Sequence, residues 1–464
     1  MTDLPFLGLA EAAELIRARK LSPVEYTQAL LDRIGRLDAR YHAFIRLTPD
    51  LALAAARQAE REIAAGGWKG PLHGVPFALK DIIDVAGLPT TAHSRVLIEN
   101  VATADAPVTA RLKAAGGIPM GKLATHEFAI GGPSFDLPWP PAVNPWGENR
   151  FPGGSSSGSG VSLAAGMVPA ALGTDTGGSI RNPASMCGIT GLKPTYGRVS
   201  RRGVLPLAYS LDHVGPMTRT VRDNALLLQV LAGHDAEDPG SADVAVPDYS
   251  ADLERGVKGL KLGLIRHFYT EDMQADPEQG QAIDSAAEVL RGLGAEVREV
   301  RLAPLADYAA CTRIIIRCEA YSIHRRWMAE RPGDYGDLAR QRIIDGAAVS
   351  AADYIDALRM RGRLTRRTLE AFAGIDAALT VSSMDPACRI DDAEANLRAY
   401  PRQARQPFNV TGQPAIAIPA GFSRDGLPLS LQLIGHPWAE AMLYRVAHAY
   451  ERATGWTERH PPGL

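Results

Sequence analysis

Cysteine is scarce in this sequence: Cys187, Cys311, Cys318 and Cys388 are the only four, and no two of them form a CxxC pair or sit in a ligand cluster. That leaves no support for a disulfide framework or a zinc site, and the four are read as buried or incidental thiols. Long apolar runs are missing as well; nothing approaches the roughly 18 apolar residues a bilayer-spanning helix needs. The start, residues 1–20, lacks the basic-then-apolar pattern of a secretion signal, so a cytoplasmic location is the default expectation. Neither sign of charge is in excess, with 50 basic against 52 acidic residues. Such a balance argues against nucleic acid as a primary partner and against a polybasic membrane patch.

What the chain does carry is 45 glycines and 33 prolines among its 464 residues, a surplus that implies many turns. Between the turns, two periodicities alternate. Ser22-Pro23-Val24-Glu25 reads as a capped helix start with Glu25 closing a capping box, and Tyr26, Leu30, Ile34 and Leu37 then share one helical face. Val75–Lys80 reads as a buried strand ending in a lysine. A helix over 105–115, stopped by Gly116-Gly117, and a strand near Ile118–Met120 complete a β-α-β unit. Strand, helix and strand repeat at Leu260–Ile265, 277–293 and 295–300. Further strands are expected at Ala378–Val381, Ala415–Pro419 and Leu429–Ile434, and an amphipathic helix at 439–453.

The sum is an α/β fold, a mixed β-sheet core covered by helices on both faces. We expect a single domain over 1–464, with an N-terminal helical segment at 1–65 and the functional core at about 70–220. The Gly-, Asp- and Pro-rich stretch 233–257 reads as a surface excursion of that domain.

The unusual local feature is Pro152-Gly153-Gly154-Ser155-Ser156-Ser157-Gly158-Ser159-Gly160. By composition it is a flexible linker, yet it runs straight into a helical segment from Val161 and a strand near Val168–Leu172, and linkers rarely sit tightly between packed elements. A phosphate-binding loop would end in GK[ST], which is missing. A GxSxG nucleophile elbow centred on Ser156 is a further reading, that of an α/β-hydrolase esterase. It requires a strand leading into the serine, whereas 145–152 is Pro- and Trp-bearing loop.

Together with the runs Gly173-Thr174-Asp175-Thr176-Gly177-Gly178-Ser179-Ile180-Arg181-Asn182-Pro183-Ala184 and Cys187-Gly188-Ile189-Thr190-Gly191-Leu192-Lys193-Pro194-Thr195, this stretch closely resembles the signature of the amidase-signature family. Upstream, Gly74-Val75-Pro76-Phe77-Ala78-Leu79-Lys80-Asp81 is similar to that family's lysine strand. Downstream, Pro407-Phe408-Asn409-Val410-Thr411-Gly412-Gln413 and the segment 426–435 are similar to its C-terminal portion.

The resemblance implies a nucleophile at Ser179, a bridging serine at Ser155 preceded by a cis peptide bond from Gly154, and a catalytic lysine at Lys80. It also implies an oxyanion hole from the amides of Thr176, Gly177, Gly178 and Ser179, and substrate contacts at Ala129, Ile130, Gly131 and Asn182. The chemistry suits the residue types: serine needs a base, and lysine is one only when burial keeps it neutral. Asp175 and Arg181 are read as a structural ion pair bracing the nucleophile turn. His73, His93, His126 and His213 are read as structural or exposed. Apolar Ala129 and Ile130, with neutral Asn182, point to a neutral, fairly apolar small-molecule amide, anilide, carbamate or ester. No metal or organic cofactor is called for, and a homodimer is left open. The alternative within the resemblance is the glutaminase subunit of a tRNA-dependent amidotransferase. Those proteins keep an acidic residue shortly before the Pro-x-Asn segment to hold glutamine's ammonium, whereas 400–406 contains Arg402 and Arg405 and no acid.

Overall fold

A computed structural model describes residues 4–464. Its centre is one sheet of 11 strands: β1 (Phe44–Leu47), β2 (Pro76–Lys80), β3 (Ile118–Leu123), β4 (Ala170–Asp175), β5 (Thr190–Lys193), β6 (His213–Thr218), β7 (Lys261–Leu264), β8 (Glu296–Glu299), β9 (Ala377–Val381), β10 (Ala415–Phe422) and β11 (Pro428–Gly435). Across the sheet they lie in the order β1-β3-β2-β4-β6-β5-β10-β11-β9-β7-β8. Parallel pairs occur where a helix connects the strands: Pro107–Ala114 between β2 and β3, and Pro277–Gly292 between β7 and β8. A parallel pair needs such a crossover. Antiparallel pairing of β4, β6, β5, β10, β11 and β9 fills the middle. The mixed α/β sheet is therefore as the residue pattern predicts.

Every residue of β11, and all of β10 but Phe422, is buried, which requires cover on both faces of the sheet there. The two faces differ in chemistry. Leu433 pairs with Ile416 on β10 and Leu379 on β9, while its neighbour Gln432 spends its side-chain oxygen on Arg181. Among the described residues no helix is long and apolar enough to cross a membrane.

The helix Pro23–Tyr41 starts where predicted, with the Ser22 hydroxyl oxygen accepting from the amides of Val24 and Glu25. The capping box does not close: the Ser22 hydroxyl donates to Glu60 at 2.5 Å, and Glu25 does not reach back. Tyr26, Leu30 and Ile34 are buried and Leu37 half-buried, so the expected face does meet the core. Two long helices, Leu305–Glu330 and Ala351–Ala371, are not evident from the residue pattern. The first carries Ile314-Ile315-Ile316, a β-branched run that favours strand locally, and tertiary packing overrides it. Between 232 and 260 the only regular element is a single turn, Leu253–Arg255. That excursion is fastened down by Arg201 on Asp238 at 2.8 Å and by Arg198 on the carbonyl of Ala245 at 2.9 Å.

Leu433→Ala should lower stability by about 2–5 kcal/mol, since the site is closed on both sides and cannot collapse. A lower urea midpoint with an unchanged slope is the expected result, followed by far-UV circular dichroism.

Candidate active site

The carboxyl ends of the parallel strands β2 and β4 lie side by side, and the chemistry collects there. Lys80 is the last residue of β2 and is fully buried. Its Nζ lies 2.7 Å from Ser155 Oγ and 2.8 Å from Thr174 Oγ1, and no carboxylate stands within ion-pair distance of it among the described residues. Burial lowers its pKa to about 7, against the opposing pull of Asp175 and Asp212. Such a lysine exchanges its proton near neutrality. Lys122, equally buried, instead pairs with Asp81 at 2.8 Å.

Ser155 follows a cis peptide from Gly154 and precedes the helix Ser157–Ala164. Its carbonyl accepts from the amide of His126 at 3.0 Å, so His126 presses on the turn. A Cβ on Gly154 would lie 2.0 Å from the His126 ring; only glycine fits. Ser156, the centre of the GxSxG pattern, is committed elsewhere. Its Oγ accepts from the amide of Thr174 at 3.2 Å and lies 3.3 Å from that residue's carbonyl.

Ser179 stands on the turn between β4 and the helix Arg181–Cys187, 5% exposed. Its carbonyl accepts from the amide of Ser156 at 3.2 Å, which ties the two serine turns together. The Ser179 hydroxyl makes no hydrogen bond among the described residues, to Ser155 or to any other group. Lys80 and Ser155 are thus in contact, and Ser179 is alongside with its hydroxyl uncommitted.

The turn hangs on Asp175. Its carboxylate accepts from the amides of Gly178 (2.8 Å) and Ile180 (3.2 Å), from Arg181 Nε and Nη2 (2.9 Å each) and from Asn409 Nδ2 (2.7 Å). Arg181 in turn donates to Gln432, Asn409 and the carbonyl of Arg405. Burial works to raise the Asp175 pKa, but Arg181 and Asn409 hold it well below the usual carboxylate range. The oxyanion hole expected from the sequence needs correction. The Gly178 amide, expected in it, is spent on Asp175, because the short turn needs an N-terminal acceptor. The amides of Thr176, Gly177 and Ser179 have no hydrogen-bond partner among the described residues. Thr176 donates its hydroxyl to Asp212 at 2.5 Å, whose pKa burial raises to about 6.

Of the expected substrate contacts, Gly131 lines a cavity of about 540 Å³ together with Phe151, Arg342 and Tyr400. Ala129 and Ile130 are packed into the hydrophobic core, on a turn where Phe128 and Ala129 take positive φ. Asn182 is buried, and its Oδ1 has no hydrogen-bond partner among the described residues. A second cavity of about 750 Å³ opens beside Thr174, Thr176 and Asp212. His73, His93, His126 and His213 are all buried. No group of three or more His, Cys, Asp or Glu among the described residues is placed to hold a metal ion. Sequence reasoning does not single out Thr174, Asp212 or Arg405 as site residues. Thr174 sits inside the signature run, but only the strand register puts its hydroxyl on Lys80.

The sequence profile of the family described as Amidase matches residues 25–444. A subunit of the glutamyl-tRNA(Gln) amidotransferase of Geobacter metallireducens is 43% identical, covering 97% of this chain and 98% of its own. Among solved structures, one reported as a vestigial protein complex bearing on the evolutionary origins of an s-triazine catabolic enzyme superposes with a TM-score of 0.91 at 34% identity, over 97% of this chain and 99% of that one. The peptide amidase of Stenotrophomonas maltophilia superposes with a TM-score of 0.87 at 32% identity, over 99% of each chain.

Removing one partner of the Asp175–Arg181 pair leaves a buried charge uncompensated. Asp175→Asn or Arg181→Met alone should cost about 3–5 kcal/mol, and the double variant less than the sum of the two. A double-mutant cycle by urea denaturation measures this.

Proposed function

Because this chain belongs to the Amidase family, we propose that it is a serine hydrolase that cleaves an amide-like C–N bond through an acyl-enzyme on Ser179. The carrying observation is the contact of 2.7 Å between Lys80 Nζ and Ser155 Oγ in a site whose burial brings the lysine to neutrality near pH 7. In this reading Ser179 Oγ attacks the substrate carbonyl as its proton passes to Ser155 Oγ, and the Ser155 proton passes to the Lys80 amine. The developing oxyanion is met by the amides of Gly177 and Ser179. Collapse breaks the C–N bond, with the proton returning from Lys80 through Ser155 to the departing amine. Water then releases the acid by the same relay. Thr174 holds Lys80 in line, and the Asp175–Arg181 pair holds the turn. Ser156, bonded to the backbone of β4, is unsuited to serve as an elbow nucleophile.

A second reading shares this chemistry and differs in the amide and its destination. Identity of 43% to one subunit of an amidotransferase favours a glutaminase that works beside partner subunits. Against glutamine stands the segment 400–406, where Arg402 pairs with Asp385 and no acid is present to meet an α-ammonium. Assaying the purified chain alone on glutamine, aryl and aliphatic amides, carbamates and esters separates the two. Glutaminase activity that appears only with added partner subunits would decide for the second.

Ser179→Ala should abolish both turnover and covalent labelling by a fluorophosphonate. Ser155→Ala should cut turnover by about 10²-fold or more, as expected for loss of a proton relay, and Ser156→Ala should retain appreciable activity. Intact-mass and peptide mapping of the labelled protein check the assignment, and a label on Ser156 would refute it.

The pH profile follows from Lys80. Its lowered pKa makes the neutral amine the major form above about 7, so kcat/KM should rise with pH through that value and level off above it. Lys80→Ala should erase the rising limb. It should also harm an anilide more than the matching nitrophenyl ester, whose leaving group needs no returned proton. Equal losses on both substrates, or a limb that survives, would remove Lys80 from the relay.

A further inference from the structure

Arg405 lies beside the nucleophile turn, and its charge is not matched. It is 2% exposed, and no carboxylate stands within ion-pair distance of it among the described residues. Its Nη1 donates to the carbonyl of Ser382 at 2.9 Å and to Ser383 Oγ at 2.5 Å. Its Nε is buried without a hydrogen-bond partner, and Nη2 makes no hydrogen bond among the described residues either. The guanidinium is therefore held by one end, while the Nε–Nη2 edge has no acceptor among the described residues. That edge is a bidentate match for a carboxylate.

Its position is set by Gly178, the residue before Ser179. A Cβ at Gly178 would lie 2.5 Å from Arg405 Nε and 2.8 Å from its Cδ, so only the missing side chain lets the arginine pack against the residue that precedes Ser179. Asp175, the carboxylate whose charge acts on Arg405, is already taken up by Arg181 and Asn409. Burial and the neighbouring Arg181 lower the pKa of Arg405 to about 9, the mark of a cation that gains from an added anion. A buried charge with an unfilled donor edge is costly unless something completes it.

We propose that Arg405 binds a carboxylate of the substrate, and that the enzyme's natural substrates are anionic monoamides of short dicarboxylic acids. The proposal rests on the hydrolase reading and narrows it. It also revises the neutral substrate expected from Asn182: the cation absent at 182 arrives from 405. With no acid in 400–406 to receive an ammonium, the site fits a simple carboxylate better than an amino acid, so glutaramate should surpass glutamine.

The test compares succinamate with butyramide and glutaramate with valeramide, pairs that differ in the carboxylate. Each is measured by ammonia release and as a protector of Ser179 against a fluorophosphonate, so binding is read even where turnover is slow. The anionic member of at least one pair should exceed the neutral one by about 10- to 100-fold, the range of a charge-assisted hydrogen-bonded pair. Arg405→Gln should bring that ratio toward one, and Arg405→Lys should restore part of it. A merely bracing arginine would lower both members alike and leave the ratio unchanged, which would overturn the proposal. If Arg405→Gln does not fold, the wild-type ratio decides: a value near one with Ser179 still labelled overturns the carboxylate site and leaves the hydrolase reading standing. Absence of both labelling and turnover would take down both.

Discussion

The Asp175 carboxylate and the Arg181 guanidinium, joined through two contacts of 2.9 Å out of reach of water, hold together most of what matters in this molecule. The pair closes the turn that carries Ser179. Through Arg181 it also reaches β11 at Gln432 and, at Asn409 and Arg405, a segment more than two hundred residues away in the chain. Taking two charges out of water is expensive, and their mutual attraction offsets the cost only when the remaining donors and acceptors are also satisfied. Here the amides of Gly178 and Ile180, the Asn409 amide and the Gln432 oxygen complete the set. The turn that carries Ser179 is consequently fixed from several directions, just ahead of a helix of only seven residues.

Three buried lysines show how the same burial yields different chemistry. Lys122 keeps a carboxylate partner in Asp81. Lys193 has the carbonyls of Pro194 and Gln413 and the ring of His213, and burial drives its pKa well down. Lys80 has two hydroxyls, groups that can both give and accept a proton. A lysine whose neighbours are hydroxyls is neither locked in its charged form nor cut off from exchange. The site thus combines a rigid, fully compensated ion pair with a neighbouring lysine left without a counter-charge. Arg405, on the other side of Gly178, repeats that second theme with a cation.

Much of this was legible in the residues. Local periodicity predicts the helix from Pro23, the two β-α-β units and the strands of the C-terminal half, because each is a pattern within about ten residues that burial on one face enforces. It could not reveal β1, only four residues long, or β5 and β6, whose Gly191, Gly215 and Pro216 disfavour strand locally, so that they acquire strand geometry from their neighbours in the sheet. Nor could it predict the helix Leu305–Glu330 across its isoleucine run, where packing outweighs intrinsic preference. The spaced blocks around Lys80, Ser155 and Ser179 were enough to nominate the chemistry.

By itself, then, the sequence determined the α/β class, the elements with a clear local period and the choice of Lys80, Ser155 and Ser179 as the residues to examine, since these depend on residue type and short-range spacing. The tertiary structure decided what depends on distance between parts far apart in the chain. It set Thr174 against Lys80 through the register of β2 and β4, and it took the Gly178 amide out of the expected oxyanion hole by turning it onto Asp175. It also brought Arg405, separated from Arg181 by 224 residues, to the edge of Gly178. Whether a buried charge is compensated is a property of the space around it, and that space is assembled only when the strands of the sheet come together.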